Sequence, residues 1–475
     1  MAKERESLEV QSEKAVLAAV RLPDSNYDQR DPFGELRSLA EQAGALVVGE
    51  LQQRLERPVA GTYMGVGKLE ELKALCAELG AKTIIYDHDL SPRQISNIEK
   101  ATLCKVVDRS ELILDIFASR ATTNEAKLQV ELAQLEYTAP RLRAMWSHLE
   151  RISGGVGSRG PGEMQIEIDR RLVADRKVAL KRDLEVIQAR RRREVQARKR
   201  EHFTVGIVGY TNAGKSTLFN SLTAGGAYAD NRLFATLVTR TRQWDVGPGI
   251  SVMLSDTVGF VRDIPHHLVA SFRATLEAAT HADLLLFVLD ISDPAAELHY
   301  QTVTTTLDEL MEEVAAAEAE NGAKGWKPPP RVLLLNKADR LHDNRDVLVW
   351  QRKYPDAIPL CALAPRATGP APLGQEQLRR LVLEHAQGGV EVFDVTVPLE
   401  DARTISLIER QGQVLSREYA MDASPPTVTL RARIGRRQLT ALKSAGARLD
   451  LADERGERVR LVADTSAERT GWGRD

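Results

Sequence analysis

Short apolar runs rich in β-branched residues alternate with amphipathic stretches along most of the 475-residue chain. One such run, Phe203 to Val208, leads into a glycine loop that closes on Lys215-Ser216. These two observations predict an α/β protein built around a P-loop domain. The pattern divides into an N-terminal α/β subdomain (1–120), a long helical hairpin (121–201), the P-loop domain (202–388) and a small C-terminal α/β domain with a tail (389–475).

Composition limits the function classes. Lys+Arg 65 against Asp+Glu 67 leaves a net charge of -2, so a nucleic-acid surface has to be local. Three dispersed cysteines, Cys76, Cys104 and Cys361, speak against a disulfide framework or a metal cluster and suit a reducing compartment. The polar start MAKERESLEV has no apolar signal core, and no apolar run approaches membrane-spanning length. A cytoplasmic protein is expected, and a monomer.

In the N-terminal third, strands are expected at Ala15–Val20, Ala45–Val48, Thr83–Tyr86 and Lys105–Val107. Helices are expected at Phe33–Ala43, Leu69–Leu79 and Pro92–Ala101. The segment Gly61-Thr-Tyr-Met-Gly65-Val-Gly67-Lys68 has the wrong spacing for a P-loop, and Leu69 stands where Ser or Thr is needed. A tight turn is the better reading.

From Glu111 the period is helical, with Leu128, Leu132 and Leu135 on one face and a kink or restart expected at Pro140. A glycine-dense segment, Gly154 to Glu163, separates this from a second long helix, Gln165 to Glu201. That helix carries an apolar stripe of Ile168, Leu172, Leu180, Leu184 and Ile187. Between Asp169 and Glu201 it holds 13 Arg or Lys against 6 Asp or Glu. Arg190, Arg191, Arg192 and Arg193, with Gly157, Ser158, Arg159 and Gly160 of the glycine tip, form a candidate RNA contact. The competing reading is a solvated helix face with pairs such as Lys181–Glu185 and Arg190–Glu194.

The P-loop comprises Gly209, Tyr210, Thr211, Asn212, Ala213, Gly214, Lys215, Ser216 and Thr217. Its spacing, G-x-x-x-x-G-K-S between a strand and a helix, suits backbone amides that surround phosphate oxygens. Lys215 supplies charge to the β/γ-phosphates and Ser216 a hydroxyl to Mg²⁺. Phe234, Ala235, Thr236, Leu237 and Val238 follow about twenty residues later, where a threonine closes over Mg²⁺ and the γ-phosphate as switch I. Asp256, Thr257, Val258 and Gly259 end an apolar strand as D-x-x-G: Asp256 is a carboxylate for Mg²⁺ through water, and Gly259 an amide for the γ-phosphate.

Asn336, Lys337 and Asp339 form N-K-x-D after the strand Arg331–Leu335. Ionised Asp339 only accepts hydrogen bonds, which matches the N1–H and 2-amino donors of guanine and leaves adenine unmatched. Cys361, Ala362 and Leu363 stand where a backbone amide reaches guanine O6, although Ser is the familiar residue at position 361. Together these elements identify a P-loop GTPase that binds GTP and GDP with Mg²⁺. No general base is assigned; Asp263 and His266 are nearby and read better as surface residues. Phe260 occupies the place of a water-orienting glutamine, so slow intrinsic hydrolysis and activation by a partner are expected.

The chain resembles the HflX-type GTPases from about residue 15 to beyond 430. The resemblance is carried by Tyr63–Leu72, Asp115–Arg120, Lys127–Tyr137, the Gly157-Ser-Arg-Gly-Pro-Gly-Glu163 segment, Phe234–Leu237 and Asp256–Asp263. It implies binding to the large ribosomal subunit and its ribosomal RNA, with GTP-dependent splitting or rescue of stalled or idle ribosomes. It also implies that the glycine tip, with Arg159, approaches ribosomal RNA near the peptidyl-transferase centre. One departure is Thr236-Leu-Val-Thr-Arg-Thr-Arg242, where the family usually has Asp-Pro after Thr-Leu; Cys361 is the other. An RNA-remodelling NTPase and a regulatory ribosome-linked GTPase without splitting activity stay open as alternatives.

In the C-terminal region, strands are expected at Val390–Val397 and Thr427–Ile434, and helices at Thr404–Tyr419 and Gln438–Ala445.

Overall fold

The computed structural model describes residues 13–23, 25, 27–145, 161–223, 239–247, 250–262, 279–320, 326–363, 373–444 and 446–459. Three sheets organise them. The first contains β1 (Lys14–Arg21), β2 (Leu46–Arg54), β3 (Thr83–Tyr86) and β4 (Lys105–Val107), all parallel, in the order β2-β1-β3-β4. Helices α1 (Gly34–Gln42), α2 (Val66–Leu79), α3 (Pro92–Thr102) and α4 (Arg109–Arg120) connect or follow these strands. The strand period of two splits β1 between two cores: Ala15, Leu17 and Ala19 pack on one side, Val16, Ala18 and Val20 on the other. A parallel sheet covered on both faces requires that kind of continuous apolar strand.

Helices α5 (Asn124–Met145) and α6 (Pro161–Glu201) form the long pair. Leu128, Leu132 and Leu135 of α5 meet Leu180 and Leu184 of α6. Two expectations are corrected here. Helix α5 continues through Pro140, so the restart expected there does not occur. It is held on both sides of the proline, because Tyr137 and Arg141 both bond to the buried carboxylate of Asp108 at 2.7 Å. That anchoring outweighs a local cost of roughly 3 kcal/mol for proline inside a helix. Leu172, assigned to the apolar stripe, is 61% exposed. It lies about 12 Å along the helix from Leu180 and is not part of the cluster that Leu128, Leu132 and Leu135 form with Leu180 and Leu184.

The second sheet has the order β10-β9-β8-β5-β7-β6. Its strands are β5 (Phe203–Gly209), β6 (Arg240–Gly247), β7 (Ile250–Asp256), β8 (Leu284–Asp290), β9 (Arg331–Asn336) and β10 (Ile358–Pro359). Only the edge strand β6 is antiparallel to its neighbour. Residues of β8 alternate between the two cores: Leu284, Leu286 and Val288 on one face, Leu285, Phe287 and Leu289 on the other. Truncating any of these to Ala costs about 2–5 kcal/mol. Helices α7 (Lys215–Leu222), α8 (Ala296–Glu320), α9 (Arg345–Lys353) and α10 (Gln375–Gln387) accompany it. A single residue, His202, separates the end of α6 from β5, so the hairpin runs directly into the P-loop strand.

The third sheet is antiparallel, order β12-β13-β11-β14, formed by β11 (Val390–Pro398), β12 (Gln413–Ala420), β13 (Thr427–Gly435) and β14 (Asp450–Asp453). Helices α11 (Ala402–Gln411) and α12 (Arg436–Ser444) belong to it. The helix expected over 404–419 is corrected: α11 ends at Gln411, Gly412 is extended, and 413–420 pair with β13. Pairing with a neighbouring strand decides the state of such a segment more than intrinsic preference does. Among the described residues no helix is long and apolar enough to cross a membrane.

Candidate active site

The P-loop links β5 to α7. Gly214 adopts φ +98, and a Cβ there would collide with Asn336 Nδ2, so both the conformation and the space require glycine. Lys215 is 7% exposed and donates from Nζ to the Tyr210 carbonyl at 2.7 Å. Burial pulls its pKa down to about 8, against the attraction of Asp256, which raises it. Ser216 Oγ donates to Asp256 Oδ2 at 2.8 Å, joining the P-loop to the end of β7. Gly259 lies directly against the loop: a Cβ would stand 2.7 Å from Thr211 Cγ2 and 3.0 Å from Lys215 Nζ.

The D-x-x-G residues Asp256–Gly259 with Phe260, Val261 and Arg262 after them, here called switch II, are zipped onto the loop by their backbone. Thr211 N–H donates to the Phe260 carbonyl at 2.7 Å, and Phe260 N–H to the Gly209 carbonyl at 3.1 Å. Thr257 donates its hydroxyl to the Ile207 carbonyl at 2.7 Å. Phe260 is 2% exposed in the core beneath Tyr210 and Phe287. Its ring is a packing group in this conformation.

Asn336 is buried and braces two loops at once. Its Nδ2 donates to the Ala213 carbonyl at 2.6 Å, and its Oδ1 accepts from Ala362 N–H at 3.0 Å. Lys337 takes φ +60, rare for a side-chain-bearing residue, and its ammonium pairs with the Asp290 carboxylate. Asp339 is exposed, and burial raises the pKa of the Cys361 thiol, against the Leu363 amide, which lowers it. Cys361 N–H also donates to the Leu373 carbonyl at 3.1 Å, while Leu363 is exposed.

The structure thus gathers residues 209–217, 256–259, 336, 337, 339 and 361–363 at the carboxyl ends of β5, β7, β9 and β10. Phe234, Ala235, Thr236, Leu237 and Val238 lie outside the described residues, as do Gly157, Ser158, Arg159, Gly160, Asp263 and His266. Arg190 and Arg193 are exposed on α6, where Arg191 and Arg192 also lie. Lys181 pairs with Glu136 of α5 at 3.1 Å, not with Glu185 of its own helix. Lys177 reaches the same carboxylate at 3.5 Å, and Arg176 binds Glu131 at 2.7 and 2.9 Å.

Sequence reading missed a polar cluster beside switch II. Asp87, at the end of β3, has a 1%-exposed carboxylate held by three arginines. Arg21 and Arg109 each approach it at 2.7 Å, and Arg262, three residues past Gly259, at 2.9 and 3.0 Å. Burial would raise the Asp87 pKa, but Arg109, Arg262 and Arg21 together hold it below the usual carboxylate range. Glu35 of α1 accepts from Tyr210 Oη at 2.7 Å and pairs with Arg109 at 2.9 Å. Arg262 N–H donates to Tyr210 Oη at 2.8 Å, and the Tyr210 ring stacks on His299 at 3.9 Å. Removing one partner of such a buried cluster costs about 3–5 kcal/mol. The available signal was a lone Asp at the end of an apolar strand.

Family models divide the chain in the same sequence order. The model described as "GTP-binding GTPase N-terminal" matches residues 30–118, and "GTP-binding GTPase Middle Region" matches 120–200. The model described as "50S ribosome-binding GTPase" matches 204–337. The GTPase HflX of Lacrimispora saccharolytica is 47% identical over 411 residues, 86% of this chain and 92% of that protein. The chain belongs to the HflX GTPase family. The HflX of Escherichia coli K12 is 39% identical over 413 residues, 86% of this chain and 90% of its own length. That of Caldanaerobacter subterraneus is 37% identical over 420 residues, 87% and 90% respectively. As an HflX-family P-loop GTPase, the chain is a GTP hydrolase.

Proposed function

We propose that this HflX-family GTPase binds the large ribosomal subunit and uses GTP to split or rescue stalled or idle ribosomes. The observation that carries the reading is the one-residue junction between α6 and β5, which makes the hairpin a direct extension of the P-loop strand. A family description naming 50S ribosome binding over 204–337 supports the choice of partner. The work divides near residues 120, 201 and 388: an N-terminal layer, an RNA-directed hairpin, the GTPase and a C-terminal appendage. We place the protein in the cytoplasm, as a monomer.

In this reading the amides of 209–217 surround the phosphates, and Lys215 neutralises their charge. Asp339 reads the guanine edge while Ala362, fixed by Asn336, presents its neighbourhood to O6. The oxygen set Ser216 Oγ and Asp256 Oδ2, 2.8 Å apart and carrying one negative charge, fits a hard divalent cation such as Mg²⁺. Ser216 would hold it directly and Asp256 through water, with Thr236 closing from switch I. Bound Mg²⁺ would neutralise charge developing on the β- and γ-phosphate oxygens. Because Phe260 is packed in the core and cannot orient water, hydrolysis without the ribosome is slow. Gly157, Ser158, Arg159, Gly160 and the basic run from Arg190 to Arg193 meet ribosomal RNA.

GTP turnover alone and with large subunits, beside sucrose-gradient profiles of whole ribosomes, tests this. Strong stimulation with GTP-dependent free subunits is expected. Stimulation without splitting would leave a regulatory ribosome-linked GTPase, and no stimulation would favour an RNA-remodelling NTPase.

A further inference from the structure

Switch II is gripped from the side of the first sheet. Val258 and Val261 are 7% and 1% exposed, in the same apolar core as Leu17, Leu114 and Phe117. Arg262 inserts its guanidinium onto Asp87 and lends its carbonyl to Arg109 Nε and Nη2 at 3.3 and 3.1 Å. Its N–H donates to Tyr210 Oη, which itself donates to Glu35. Every anchor except Tyr210 belongs to the N-terminal layer: Glu35 to α1, Asp87 to the end of β3, Arg109 to α4.

That grip holds Gly259 close to the P-loop. The glycine stands so near Lys215 Nζ that even one added carbon would be crowded, at 3.0 Å. A third phosphate has to enter beside that ammonium, so Gly259 has to give way and re-aim its amide at the phosphate. Only Phe260 and Val261 separate Gly259 from Arg262, whose position is over-determined by two carboxylates, a carbonyl contact and a phenol. Gly259 cannot shift far while Arg262 stays seated.

We propose that Asp87, Glu35 and Arg109 form a socket for Arg262 that positions switch II in a γ-phosphate-excluding conformation. Entry of GTP is thereby linked to release of Arg262 from the N-terminal layer. The four are positioning residues: they act through Gly259 and touch no nucleotide. By reciprocity, whatever loosens the layer's hold on Arg262 raises the preference for GTP over GDP by the same factor. The inference needs only GTP binding at the central site. It goes beyond the ribosomal function proposed above and survives or fails without ribosomes.

The test measures affinities of the full-length protein for fluorescent GDP and a fluorescent non-hydrolysable GTP analogue, with Mg²⁺ and no ribosomes. Variants are Arg262→Gln, the milder Glu35→Gln, and Arg37→Gln as control. Arg37 pairs with Glu50 at 2.6 Å on the surface of the same layer, outside the socket. The expected result is a shift of the GDP-to-analogue Kd ratio toward the analogue. A coupling of the usual size would make it roughly 5–50-fold for Arg262→Gln, smaller for Glu35→Gln and absent for Arg37→Gln. Circular dichroism confirms that each variant is folded. Should Arg262→Gln fail to fold, Glu35→Gln, whose side chain is 21% exposed, decides the matter alone. An unchanged ratio in the folded variants overturns the proposal. So does parallel weakening of both nucleotides, which marks a merely structural role, or a shift toward GDP, which reverses the sign.

Discussion

Asn336 donates from Nδ2 to the Ala213 carbonyl at 2.6 Å, so the base-reading loop and the phosphate loop share one buried side chain. Its Oδ1 simultaneously fixes Ala362 N–H. Asn336→Ala leaves a buried carbonyl and a buried amide without these bonds, at about 1–3 kcal/mol each. Guanine nucleotide affinity is expected to fall at least tenfold, for GDP and GTP alike, because both loops lose their brace. Fluorescent-nucleotide titration checks it; an unaltered GDP affinity would show that the loops are held by other means.

Lys215 gives the site a pH signature. Burial brings its pKa down from 10.5 to about 8 without nucleotide. Bound phosphates favour the charged form and raise the pKa again. Above pH 8 binding therefore takes up a proton, and affinity falls as pH rises through that value. For the unliganded fold the sign is separate: a depressed lysine pKa means the unfolded chain binds more protons between about 8 and 10.5, so this residue's destabilising share is relieved as pH rises across that window. Calorimetry of GDP binding at pH 8.5 in two buffers of different ionisation enthalpy measures the uptake. Equal heats in both buffers would contradict it.

What could be read in the chain beforehand depended on distance along it. The P-loop, D-x-x-G and N-K-x-D each lie within ten residues, and each requires a strand before it, so order and context were enough. The strand Ala15–Val20 was visible for the same reason, whereas the division of β1 and β8 between two cores is shown by the packing. The Arg262 socket was not: its bonds join residues 22, 153, 175 and 227 positions apart, and nothing local distinguishes Asp87 from any acid after a strand. Strand β12 was read as helix because its 3.6-residue pattern continues past Gln411, and only its partner β13 reveals the change. Proline at 140 misled for a similar reason, since Asp108, which anchors that helix, lies 29 residues before Tyr137.

In the proposed reading base choice rests on Asp339. A carboxylate accepts from both guanine N1–H and the 2-amino group, whereas Asn offers one acceptor and one donor. Asp339→Asn is expected to cost on the order of 10²-fold or more in GTP affinity and to favour xanthosine triphosphate, since a site built for matched hydrogen bonds strongly rejects the mismatch. Competition between GTP and xanthosine triphosphate for the variant measures the switch; retained GTP preference would place base recognition elsewhere.

The basic residues of α6 should differ in their use according to what already neutralises them. Arg176 is tied bidentately to Glu131, and Lys177 and Lys181 share Glu136, so two carboxylates of α5 offset three cations. Arg193 donates from Nε only to the Ala189 carbonyl of its own helix, which leaves its charge uncompensated by that bond. Phosphate affinity should accordingly come from Arg193 rather than from Arg176, Lys177 or Lys181, and Arg190 is tested beside it as a member of the same proposed RNA-facing run. Arg190→Gln and Arg193→Gln are each expected to weaken binding to large subunits and to lower the slope of log affinity against log salt by about one. Arg176→Gln should leave that slope unchanged while loosening the α5–α6 pair, read as faster amide hydrogen exchange around Glu131. If all three substitutions reduced the salt slope alike, the ion pairs between the helices would have to open on the ribosome, and the hairpin would be a moving part rather than a fixed arm.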